Sequence, residues 1–215
     1  MSQFDLFSQK ANAFASLEEV IDALKRMQDD PLANAGTNVV ISRGNPDARL
    51  LIIGEAPGPE ENIKGKPFVG RAGQMLDKIL QAASFDPEKD VYITNSVFRM
   101  PPGEDGKAFR KPSDQEIDYY RPFVFEIIRL IDPRVILLTG NVACQSVLRK
   151  TGITSLRGKW TQMDRSWVMP IFHPSYLLRN PTRDPGSPKA LMWEDIREVR
   201  RKYDELAATR SSNDS

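Results

Sequence analysis

Four short apolar runs, LLIIG at 50–54, VYITN at 91–95, RVILLTG at 134–140 and WVMPIF at 167–172, are the feature that most limits how this chain can fold. Each is bounded by charges or turn residues, and three lead into segments with helical spacing, as parallel strands buried on both faces require. Helices are expected near 71–83, 114–131, 141–149 and 188–206. An N-terminal helix is expected from Leu17 to Met27, where apolar residues recur at helical spacing after Ser16. The alternation predicts an α/β fold: a three-layer α/β/α sandwich with a short, mainly parallel four-stranded sheet. One domain over 1–206 and a polar tail over 207–215 follow from the same reading. Residues 99–112, rich in Pro, Gly and charge, read as a long mobile loop.

At 215 residues and 40% hydrophobic composition the chain is long enough to bury an ordinary core. No apolar run approaches the roughly 20 residues of a membrane span, and the opening MSQFDLFSQKANAF lacks the basic-then-apolar order of a signal peptide. A soluble cytoplasmic protein, a monomer with no membrane partner, is therefore expected. Cys144 is the single cysteine and His173 the single histidine. No disulfide can form within the chain, and no Cys/His cluster exists for zinc or an iron–sulfur centre. Cys144, in TGNVACQSVL, reads as a packed thiol. The net charge of +1 hides a division: residues 1–62 hold 5 Lys/Arg against 10 Asp/Glu, whereas 149–202 hold 12 against 5. The C-terminal third offers a basic face to a polyanion, or simply a solvated surface.

In such sheets ligands bind beyond the carboxyl ends of the strands, and the unusual residues lie there. GEAPGPEENIKGKPFVG, 54–70, follows the first strand. Its glycines let backbone N–H groups approach a ligand, yet it matches neither the Walker phosphate loop nor the dinucleotide G-x-G-x-x-G, which leaves a nucleotide-cofactor enzyme unsupported. Phe68, held between Pro67 and Val69, suits stacking on a flat ligand or a place in the core. The helix beginning at VGRAGQML, with Arg71 and Gly73, suits a phosphate. Asn95 ends an apolar strand, where its amide either complements a nucleobase edge or caps a turn. HPSYLLRNP, 173–181, carries His173, Ser175, Leu177, Leu178 and Arg179; leucine beside arginine suits a wedge entering a DNA stack with a cation on phosphate, or a turn with a hydrophobic anchor.

Taken in order, GEAPGPEEN, GKPFVGRAGQMLDKIL, VYITN, PSDQEI, TGNVA and FHPSYLLRNP resemble the family-4 uracil-DNA glycosylases over about residues 15–205. The resemblance implies the fold of that family and a hydrolase that flips uracil out of DNA and cuts its N-glycosidic bond in base-excision repair, leaving an abasic site and free uracil. It implies Glu55 and His173 as catalytic residues and Gly54, Ala56, Glu61, Phe68 and Asn95 as uracil-binding. Glu61 either shapes the pocket against the thymine methyl or supports the loop. Arg71, Gly73, Ser175, Leu177, Leu178 and Arg179 are expected on DNA, with Leu177 or Leu178 entering the duplex. One departure is large. That family typically holds a four-iron cluster by four cysteines, and the corresponding positions here fall near Met27, Asp30, Arg99 and Asp118. A protein without metal or cofactor is expected, with packing or salt bridges around the N-terminal helix and 99–118 in place of the cluster; a phosphate contact from Arg99 is the less favoured of the readings open to that residue. The 99–112 loop contains no histidine, so covalent attachment to product, as in a second group of relatives, is not expected. A non-catalytic binder of uracil-containing or abasic DNA is the alternative.

Overall fold

The computed structural model describes residues 14–103 and 109–211. Most of the opening segment (1–13), the middle of the expected 99–112 loop (104–108) and the last four residues (212–215) lie outside the described residues.

The first helix among the described residues, α1 (Leu17–Arg26), starts where Ser16 accepts the Glu19 N–H and carries Glu18 and Glu19 in its first turn and Lys25 and Arg26 in its last, each charge complementing the helix dipole. Val20 and Leu24, one turn apart, are its buried face. Strands β1 (Ser42–Gly44) and β2 (Leu50–Gly54) follow, then helices α2 (Pro59–Lys64) and α3 (Arg71–Ala82), strand β3 (Val91–Asn95), helix α4 (Asp114–Ile131), strand β4 (Val135–Thr139) and helices α5 (Gly140–Leu148) and α6 (Ile153–Leu156). Strands β5 (Thr161–Met163) and β6 (Ser166–Ile171) and helices α7 (Pro174–Arg179) and α8 (Pro188–Ser211) complete the described chain.

The strands form one mixed sheet in the order β1-β3-β2-β4-β6-β5. Its central four, β3, β2, β4 and β6, are parallel and are the four apolar runs. The expected four-stranded sheet is therefore corrected to six: β1 and β5 are added antiparallel at the two edges. Each has three residues, too few for an alternating pattern to stand out. Three short helices also went unforeseen. One, α2, lies inside the glycine-bearing 54–70 stretch; another, α7, lies in HPSYLLRNP, for which a DNA wedge or a turn with a hydrophobic anchor stood open. The last helix runs to Ser211, so 207–211 of the expected polar tail is helical.

Alternation along the central strands builds two cores. Leu51, Ile53, Ile136 and Leu138 pack with residues of α1, α4 and α5 on one face of the sheet. Leu50, Ile52, Val91, Ile93, Val135 and Leu137 pack with Leu76 and Leu80 of α3 and Met192, Ile196 and Val199 of α8 on the other. Cys144 is fully buried in the first core, where burial pushes its thiol up to about 12, a packed thiol as expected. Among the described residues no helix is long and apolar enough to cross a membrane.

Candidate active site

The site assembles at the carboxyl ends of the parallel strands. The β2–β3 register pairs Gly54 with Asn95, and both the N–H and the hydroxyl of Ser96 donate to the Gly54 carbonyl, at 2.9 and 2.7 Å. A Cβ built on Gly54 would lie 2.3 Å from Asn95 Oδ1 and 2.5 Å from Phe68 Cε2. Glycine is required there because an amide and an aromatic ring both close on that point. Asn95 is 1% exposed and its Nδ2 has no hydrogen-bond partner. Burying an unpaired amide costs stability unless something else completes it. The Phe68 ring lies 6.0 Å from the His173 ring, centroid to centroid, tilted by 33°. His173 in turn follows β6, and Gly140, at φ +87° directly after β4 at the start of α5, leaves room for it: a Cβ there would meet His173 Cβ at 3.1 Å.

The loop that brings Phe68 in is built around one carboxylate. Pro59 opens α2 and Gly65 ends it in the left-handed region, returning its N–H to the Glu61 carbonyl. Glu61 Oε2 accepts the Gly58 N–H at 3.1 Å, and Oε1 accepts those of Val69 and Gly70 at 2.9 and 2.7 Å. Of the two roles open to Glu61, these bonds are those of loop support: its oxygens are taken up by backbone. Phe68 itself has φ +53°, a strained conformation for a bulky side chain that costs on the order of 1–3 kcal/mol and persists only where its surroundings enforce it.

His173 caps α7. The Ser175 N–H donates to His173 Nδ1 at 3.2 Å, and the Ser175 hydroxyl lies 2.8 Å from the same nitrogen. A backbone N–H can only donate, so Nδ1 is the lone-pair nitrogen and the neutral ring carries its proton on Nε2. Burial, and then the charge of Arg179, hold the His173 pKa down to about 4. At neutral pH the residue is an uncharged donor. Glu55, partly exposed just past β2, behaves oppositely: burial raises its pKa, while Lys111 and Arg179 pull it back.

The other expected site residues divide. Ala56 follows Glu55 at the mouth, and Arg71, Leu178 and Arg179 are exposed or half-exposed. Leu177 is 1% exposed in the second core, which leaves Leu178 as the half-exposed leucine of the pair. Gly73 is buried rather than on a DNA-facing surface; a Cβ on it would lie 1.8 Å from the Phe68 carbonyl oxygen, so it exists to let the loop down onto α3. Ser175, half-exposed, contacts His173 through the bonds above. Lys111 and Gly140 were missed. Gly140 stood in TGNVA, where a glycine directly after a strand is the available signal; nothing in the sequence marks Lys111.

The four positions aligned with cluster cysteines do not fit an iron–sulfur centre. Asp30, 6% exposed, accepts from Arg99 Nε at 2.6 Å and from the Tyr120 hydroxyl at 2.5 Å. Arg99 also donates to the Thr37 carbonyl. Arg99 is thus committed inside the protein, against the phosphate reading. Asp118 pairs with Arg149, and Met27 Sδ lies 3.9 Å from the Tyr119 hydroxyl. Carboxylates, a guanidinium and a thioether fill these places where soft thiolates are needed. The expected salt bridge between the N-terminal segment and 99–118 is present as Asp30–Arg99.

Comparison with known proteins agrees with this geometry. The chain is 36% identical over 189 residues to a type-4 uracil-DNA glycosylase of Thermotoga maritima, covering 86% of this chain and 93% of the relative. It is 32% identical over 176 residues to that of Archaeoglobus fulgidus, with 77% and 85% covered, and 30% identical over 203 residues to that of Sulfurisphaera tokodaii, with 90% and 86% covered. The family model of the uracil DNA glycosylase superfamily matches residues 41–197, a span that holds Glu55, Phe68, Asn95 and His173. The chain belongs to the uracil-DNA glycosylase superfamily.

Proposed function

We propose that this protein is a uracil-DNA glycosylase that flips uracil from DNA and hydrolyses its N-glycosidic bond. The observation that carries the reading is the Asn95 Nδ2: buried, without a partner, and set beside a glycine gap and an aromatic ring. A flipped uracil completes it, with O4 accepting from Nδ2, N3–H donating to Oδ1 and the ring lying against Phe68. Backbone N–H groups at Glu55 and Ala56 take further uracil oxygens.

Bond cleavage puts negative charge on the departing uracil and positive charge on the sugar. His173 Nε2–H donates to O2 as the anion forms, a contact whose removal costs on the order of 10²–10³ in rate. Being uncharged, it stabilises the anion without needing to be desolvated as a cation. Glu55 orients the attacking water, and its carboxylate favours the oxocarbenium-like sugar. Arg71 and Arg179 hold phosphates, and Leu178 fills the space left in the stack.

An oligonucleotide with one internal deoxyuridine, end-labelled and cleaved by alkali at abasic sites, tests this. Wild type is expected to convert it, with His173→Ala and Asn95→Ala each slower by about 100-fold. Retention of the oligonucleotide without base loss, unchanged in His173→Ala, would establish a non-catalytic binder instead.

A further inference from the structure

Arg43 lies on the edge strand β1, outside every motif of the site, yet its side chain is only 7% exposed. Its Nε donates to the Pro67 carbonyl at 3.1 Å and its Nη2 to the Phe68 carbonyl at 3.4 Å. The guanidinium is itself fixed by Asp77 of α3 at 2.5 Å and by Glu88 at 3.0 Å. A buried guanidinium that spends its planar fork on two consecutive loop carbonyls does more than balance charge, because the fork sets direction as well as distance. Those two carbonyls belong to the residue with positive φ and the proline before it. From the other side Glu61 holds the next two N–H groups, those of Val69 and Gly70. Three successive peptide groups, 67–68, 68–69 and 69–70, are therefore gripped by two oppositely charged side chains, and the middle one is held at both its carbonyl and its N–H.

We infer that Arg43 is a positioning residue: together with Glu61 it clamps the 67–70 loop so that the Phe68 ring stays in its strained position against the gap at Gly54. Arg43 touches no substrate and acts only through the aromatic face. The inference rests on the reading of Phe68 as the residue that stacks on the flipped base, and it adds the device that sets the stack.

The test is a double-mutant cycle of Arg43→Gln and Phe68→Ala, read as single-turnover excision of uracil from the labelled oligonucleotide, with thermal melting as the control for folding. Displacing the ring by about 1 Å lowers excision on the order of 10²-fold, so Arg43→Gln alone is expected to lose about 10- to 100-fold, mostly in kcat, and Arg43→Lys less. In the Phe68→Ala background the same substitution is expected to cost under about twofold, because its only target is gone. Equal losses in both backgrounds, or no loss in either, overturn the inference. If Arg43→Gln does not fold, Asp77→Asn loosens the same guanidinium and enters the cycle in its place. Should wild type release no uracil, the catalytic reading falls separately; the clamp is then decided by 4-fluorophenylalanine at position 68, whose fluorine resonance must move in Arg43→Gln and whose constancy rejects it.

Discussion

Gly54→Ala is the smallest change that separates the fold from the chemistry. Gly54 is not among the residues with positive φ, so alanine fits its backbone, and the end of β2 keeps its pairing. The added methyl is another matter. It would stand 2.3 Å from Asn95 Oδ1 and 2.5 and 2.6 Å from two atoms of the Phe68 ring. Restoring ordinary contact moves each group by about 1 Å, and an error of that size in a reacting complex costs on the order of 10²-fold, equivalent to about 2.7 kcal/mol of transition-state stabilisation. Overpacking the same spot costs roughly 1–3 kcal/mol of stability, which a domain stable by about 5–15 kcal/mol survives. Circular dichroism should therefore report a folded protein with a modestly lowered Tm, while uracil excision falls by two orders of magnitude. Excision within threefold of wild type would refute the reasoning, because it would mean that Asn95 and Phe68 do not converge on one ligand at that point.

The Asp30 network should carry stability rather than catalysis. Asp30→Asn leaves Arg99 buried without its counter-charge, which costs about 3–5 kcal/mol and lowers Tm by roughly 10 °C; calorimetry showing less than 2 °C would remove it from the structural role. Arg201→Ala, on the exposed face of α8, is the control and should leave Tm in place. The acid limb of the pH–rate profile should belong first to Glu55, which works ionised and whose pKa lies above its ordinary value, and then to His173 near 4. Because the Lys111 charge lowers the Glu55 pKa, Lys111→Met should move that limb to higher pH; a limb that stays, or moves to lower pH, contradicts the assignment.

How much of this was legible depended on whether a residue's role was local. The four parallel strands could be placed within a residue or so because burial on both faces leaves an unbroken apolar run. Edge strand β1, reading Ser42, Arg43 and Gly44, carries no such mark. Phe68, Asn95 and His173 were visible as side chains that their surroundings do not need: a ring fenced by proline, an amide closing an apolar strand, a solitary imidazole. Leu177 and Leu178 were indistinguishable in sequence, since a one-residue step around a helical turn decides which is buried. Gly73 was placed with Arg71 among the residues expected on DNA, when its lack of a side chain makes room for a carbonyl five residues earlier. Arg43 was invisible for a related reason. Its partners lie 24 to 45 positions away, and nothing in the chain announces which arginine turns inward.

Glu55 and Glu61 show why residue type alone could not assign the roles. They are the same side chain, six positions apart, one just past β2 and the other in α2, and either would serve on paper as the group that activates water. Glu61 receives three backbone N–H groups, bonds that satisfy a carboxylate and fix it in place. A carboxylate so engaged has little lone-pair capacity left for a water molecule, and turning it toward one would release the loop that carries Phe68. Glu55 sits past the strand end where burial disfavours its charge and two cations, Lys111 and Arg179, partly restore it. That setting, under-solvated yet with cations favouring the charge, suits the water-activating role proposed for it. Exchanging the two environments, not the two residues, would exchange the functions. Glu55→Gln and Glu61→Gln should accordingly differ in kind, the first slowing hydrolysis in a folded protein and the second loosening the loop on which the stack depends.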